Sequence, residues 1–140
     1  MNTFDYIQIS VSKSYIKSPN LDLLNRNQDI DGQITYSLRS GKNKISNHNL
    51  KLIFNIGQND ATIGFSSKIL GSNYADLISK NNIEQCLNLL SDEYGLCESI
   101  DVDNIIKSAK CQKLEVTKDI KTERPLLKSD YQNITNLVSD

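Results

Sequence analysis

Apolar and polar residues alternate with period two along much of the chain. In residues 4–12, Ile7, Ile9 and Val11 fall on one face, with Gln8, Ser10 and Ser12 on the other. Alternation with β-branched residues marks a half-buried strand. After the Asp31-Gly32 turn signal, Ile34, Tyr36 and Leu38 alternate over Gln33 to Leu38. Leu50, Leu52, Phe54 and Ile56 then alternate with Lys51, Ile53 and Asn55. The Gly57–Asp60 turn leads into a further strand at Ala61 to Phe65. Short connections between these three strands predict an antiparallel meander. The segment from Arg39 to His48 reads as its hairpin loop. Residues 13–31 are mostly polar, with Leu21, Leu23 and Leu24 in a short helix or packed loop.

The pattern then changes period. Ile83, Cys86, Leu87, Leu90 and Tyr94 recur at spacings of three and four, which predicts a helix from Asn82 to Tyr94 with one apolar stripe. Asn82 stands in the N-cap place with Gln85 three residues on, and Gly95 in the C′ place. A shorter helix starts at Asp101 and includes Ile105 and Ile106. Residues Cys111 to Ile120 give a last strand. Pro125 then breaks the chain before Leu126, Leu127, Tyr131, Ile134, Leu137 and Val138, a terminal amphipathic helix or a tail. The expected fold class is α+β: an antiparallel sheet of about five strands, one long helix packed on one face, and a shorter C-terminal helix. Residues 1–124 are expected as a single domain and 125–140 as the helix or tail.

Composition narrows the chemistry. The 140 residues are 38% apolar with a formal net charge of −1, enough for a core without disulfides. That balance argues against a strongly basic nucleic-acid coat and an acidic DNA mimic. Cys86, Cys97 and Cys111 have irregular spacing, and the chain has one His, so neither a disulfide framework nor a zinc site is expected. Buried, reduced thiols of a cytoplasmic protein are the expectation. No signal peptide or membrane span is legible. There is no GxGxxG or P-loop motif, and His48 lies in a polar loop. Asp101 and Asp103 precede a helix, where capping and the helix dipole favour acids. Nothing pairs an activated nucleophile with a base, so no enzyme activity, metal or small-molecule cofactor is expected.

Charge is distributed unevenly. Lys107 to Lys128 holds seven basic residues against three acidic ones, and Arg39, Lys42 and Lys44 form a second basic group. Basic loops and a basic strand edge suit phosphate contact, while lysine at a sheet edge also guards against aggregation.

Two segments carry a resemblance. The first is Phe65-Ser66-Ser67-Lys68-Ile69-Leu70-Gly71-Ser72-Asn73, and the second is Lys113-Leu114-Glu115-Val116-Thr117-Lys118-Asp119. The first resembles the Ser-x-x-Lys-Leu-Leu-x-Gly-x-Asn-like segment of phage and plasmid replication initiators of the filamentous-phage type. The second resembles that family's later strand, with Glu115 where the family has Asp. The likeness spans about residues 4–120. It implies DNA contact, with Ser66, Ser67, Lys68, Asn73 and Lys118 as the matching candidates. Ser66 and Asn73 also suit side-chain hydrogen bonds that fix the corner. The family's metal site needs two histidines, and Tyr131 lacks the context of its nicking tyrosine. The resemblance therefore implies a non-catalytic N-terminal region.

The expected function is a non-catalytic, DNA-associated domain of a mobile-element replication initiator. The alternative is a small phage protein that binds and inhibits a host protein complex, of the anti-CRISPR or antidefence type. Expected partners are DNA or such a complex, with no membrane. An edge of the sheet offers pairing with a second copy.

Overall fold

The computed structural model describes residues 3–39, 49–116 and 134. Strand β1 (Tyr6–Ser12) buries Ile7, Ile9 and Val11, as its alternation requires. A single 3-10 turn and strand β2 (Ile16–Pro19) follow, then a second 3-10 turn and strand β3 (Leu24–Gln28). Strands β4 (Ile34–Leu38), β5 (Lys51–Asn55) and β6 (Asp60–Ser66) form the expected antiparallel meander. A 3-10 stretch, Ser67–Asp76, leads to helix α1 (Ile83–Asp92). Strand β7 (Cys97–Ile100), helix α2 (Val102–Ser108) and strand β8 (Lys110–Glu115) complete the described elements.

The six-stranded sheet has the order β3-β4-β5-β6-β1-β8, and β2 pairs with β7 in a separate ribbon. Every pairing is antiparallel. This is the expected α+β class, with six strands in the main sheet. Residues 13–31, read as polar connection, contain two strands, β2 and β3. Each buries only one residue, Ile16 and Leu24, so neither shows period-two alternation. Hydrogen bonding to β7 and β4 makes them strands, and burial does not. The third strand without an alternation signal, β7, supplies the ribbon partner. The terminal helix or tail at 125–140 lies outside the described residues except for Ile134, which is fully buried in the core.

One face of the sheet carries the core. Ile16, Leu96, Cys97 and Ile100 of the ribbon side meet Leu52, Ile63 and Leu90. Phe65, Ile7, Leu87, Cys86 and Ile105 are buried in the same cluster. Burying one such side chain stabilises by about 1.5–3 kcal/mol. Both helices therefore belong to the core side. Among the described residues no helix is long and apolar enough to cross a membrane.

Helix α1 has ten residues, shorter than the expected Asn82 to Tyr94. Asn82 does not cap it: no side-chain cap bond forms there. Its Nδ2 donates to Leu77 O at 2.6 Å, and its Oδ1 accepts from Ser79 N at 2.8 Å. That clamp holds Leu77 at φ 61, ψ 167, backbone open mainly to glycine and costing about 1–3 kcal/mol. At the other end Glu93 is the C-cap, so Gly95 stands one place beyond the expected C′ position. It still supplies the positive φ, 64, that turns the chain, and Leu96 N donates to Leu90 O at 2.9 Å. Asn82→Ala is expected to cost about 2 kcal/mol in urea unfolding, through two lost bonds and a stranded carbonyl. Asn82→Asp is expected to cost at least as much, because a carboxylate cannot donate to Leu77 O; a wild-type midpoint for Asn82→Asp would contradict the clamp.

Candidate functional site

The corner after β6 is built from its own backbone needs. Ser66 is buried, and its Oγ accepts from Lys68 N at 3.3 Å, capping the 3-10 stretch. Ser67 is also buried, and its N–H donates to Asp5 O at 2.8 Å. Gly71 adopts φ 63, ψ −124, a conformation only glycine enters freely. Of the residues matched by resemblance, Lys68 and Asn73 face solvent here. Lys118 lies outside the described residues, as do His48, Lys42 and Lys44. Sequence reasoning missed Tyr74, next to Asn73, which is 56% exposed.

The register places the two segments of the resemblance together. β6 and β8 flank β1, and Tyr6 pairs with Ser66 on one side and Glu115 on the other. A bulge between Gln8 and Ile9 in this pairing lets Gln8 face Lys113 while Ile9 faces Cys111. Gln112 is thereby left as the extra residue, and its side chain joins the polar face.

That face, opposite the core, has no helix packed on it among the described residues. It carries Tyr6, Gln8 and Ser10 from β1, Lys51 and Asn55 from β5, Thr62 from β6, and Gln112 and Lys113 from β8. Gly64 makes room for Tyr6. A Cβ there would collide with the Tyr6 hydroxyl and lie 3.1 Å from Tyr6 Cζ and 3.3 Å from Lys51 Cβ. Tyr6 Oη donates to Gln8 Oε1 at 3.1 Å, and Lys51 Nζ donates to the same oxygen at 3.3 Å. Lys113 Nζ stands 5.8 Å from the Tyr6 ring centroid, a cation–π distance. Burial, then the nearby Glu115 carboxylate, pushes the Tyr6 phenol up, so it stays a donor at neutral pH. Lys113 also pairs with Glu115 at 3.4 Å, but both side chains are more than half exposed, so this pair is weak and easily exchanged. The signal that marks this site is the polar phase of β1, read in register with Lys51 and Lys113.

The remaining chemistry-bearing residues serve the fold. Cys86, Cys97 and Cys111 are free and buried. Burial pushes the Cys86 thiol up to about 12 and those of Cys97 and Cys111 up to about 11. All three are thus protonated at neutral pH and are poor nucleophiles. Asp101 caps α2, accepting from Asn104 N at 3.3 Å and from Asn104 Nδ2 at 2.7 Å. Among the described residues no group of three or more His, Cys, Asp or Glu side chains gathers to hold a metal ion. No protein-family model, curated protein or solved structure matches the chain.

Proposed function

We propose that this chain is a non-catalytic, DNA-associated domain of the replication-initiator type, and that DNA lies on the open face of the sheet. The observation that carries this reading is the convergence on Tyr6. Two amino groups, Lys51 and Lys113, surround the Tyr6–Gln8 pair. The strands that carry the resembling segments pair with β1 on either side at that same residue. Lys68 and the exposed Tyr74 follow directly from the β6 end. Lysines supply phosphate contact, amide and hydroxyl side chains supply hydrogen bonds, and exposed tyrosines supply stacking surface.

The test is fluorescence anisotropy of labelled single- and double-stranded DNA between about 50 and 200 mM salt. With about three lysine contacts, the log of the binding constant should fall against log salt with a slope of about −2. A stable complex with a host protein and no DNA binding would replace this reading with that of a protein inhibitor.

A further inference from the structure

The open face holds a groove of about 460 Å³ beside the Tyr6 cluster. Ser10, Asn55, Gln58, Asp60, Thr62 and Gln112 line it, with Ile53 as an aliphatic wall. Its volume lies within the range of small-ligand sites. Part of this polar lining is already committed. Asn55 Nδ2 donates to Thr35 Oγ1 at 3.3 Å and Gln33 Oε1 at 3.4 Å, and Asn55 Oδ1 accepts from Gly57 N at 2.8 Å. Gln112 Oε1 accepts from Gln8 Nε2 at 3.0 Å and Thr62 Oγ1 at 3.3 Å. The nearby Lys13 Nζ is bound to Asn55 O at 2.9 Å and Ile56 O at 3.1 Å.

What remains available is a short, mixed set: the Gln112 amide N–H pair, the Gln58 amide, the Ser10 hydroxyl and the Asp60 carboxylate. The charge of the face is therefore divided. Lys51 and Lys113 lie around Tyr6 with one carboxylate, Glu115, so that part is net positive, while the groove beside it has, among the described residues, no cationic side chain in its lining and one carboxylate. A phosphate suits the first part and is repelled by the second. A neutral ring with hydrogen-bonding edges suits the second. A nucleotide of an unpaired strand has that same division between its phosphate and its base.

We infer that the groove receives the base of an unpaired nucleotide whose phosphates lie at Lys51 and Lys113. Asp60 sets the preference. A carboxylate accepts from bases whose edge donates, and guanine offers adjacent N1–H and N2–H₂ donors beside the O6 acceptor, which suits the Gln112 amide donors. Thymine offers one donor and meets Asp60 with a carbonyl on either side. This inference rests on the DNA reading and adds strandedness and base class to it.

The experiment compares an oligothymidylate with the same oligomer carrying one central guanine, on the full chain. The guanine oligomer should bind about tenfold tighter, the effect of one well-placed pair of hydrogen bonds. Asp60→Asn and, separately, Gln112→Ala should abolish that preference while leaving the salt slope unchanged. Both positions are exposed, so each variant is expected to fold, as circular dichroism would show. Equal affinity for the two oligomers with an ordinary salt slope overturns the groove assignment and leaves the DNA reading standing. No binding to either oligomer ends both. Saturable NMR shifts of the groove amides with maltose, without a base preference, would assign the groove to carbohydrate and overturn it.

Discussion

Phe65→Ala is expected to cost about 3–5 kcal/mol, the largest loss available from one side chain in this core. Phe65 is fully buried, opposite Ile7 on β1, in the cluster that includes Leu87 and Leu90 of α1. Removing its ring leaves a cavity between sheet and helix that the backbone pairing with β1 keeps from collapsing. Domain stabilities are about 5–15 kcal/mol, so the variant should be near its unfolding midpoint at moderate temperature. Phe65→Leu keeps most of the volume and is expected to cost about 1.5 kcal/mol. Urea titration followed by circular dichroism separates the two. Equal midpoints for Phe65→Ala and wild type would contradict the packing described.

The second large effect is on binding. Lys51→Glu combined with Lys113→Glu should weaken DNA binding about a hundredfold at low salt and reduce the magnitude of the salt slope on single strands by about 1.4, about 0.7 per lost phosphate contact. The stability of this double variant should change by no more than about 1 kcal/mol, because Lys113 is exposed and Lys51 is only half-buried, with one long hydrogen bond to Gln8. Lys107→Glu is the control. Lys107 is exposed on α2, on the core side of the sheet, and its reversal should leave affinity within about twofold. Equal losses from Lys107→Glu and from the pair would show a response to total charge and not to the open face.

The periodic part of this fold was legible in the sequence. Strand β1 alternates because one face is buried, β4 and β5 because Tyr36, Leu38, Leu52 and Phe54 turn towards the core, and α1 shows its stripe for the same reason. The elements β2, β3 and β7 were not legible: β2 and β7 pair with each other across about eighty residues, β3 pairs with the neighbouring β4 but buries only Leu24, and each of the three buries little. Asn82 shows a second limit. Its residue type and position suit an N-cap, yet a strained backbone at Leu77 takes its side chain, and strain of that kind has no one-residue signature.

The candidate site divides in the same way. The corner from Ser66 to Asn73 stood out through local order and resemblance. Burial of Ser66 and Ser67 leaves Lys68 and Asn73 facing solvent there. Tyr6, Lys51 and Lys113 form a group only through strand register, and the bulge that brings Gln112 to them depends on the β1–β8 pairing. A polar phase in a half-buried strand reads as ordinary solvated surface until its neighbours are known.

The central claim is that DNA meets the open face of the sheet. Amide chemical-shift mapping during titration with a short single-stranded oligonucleotide tests it most directly. The account predicts saturable shifts at Tyr6, Gln8, Lys51, Thr62, Gln112 and Lys113, together with Lys68 and Asn73 at the corner. Shifts confined to α1, α2 and the β2–β7 ribbon, with the open face unmoved, would contradict it.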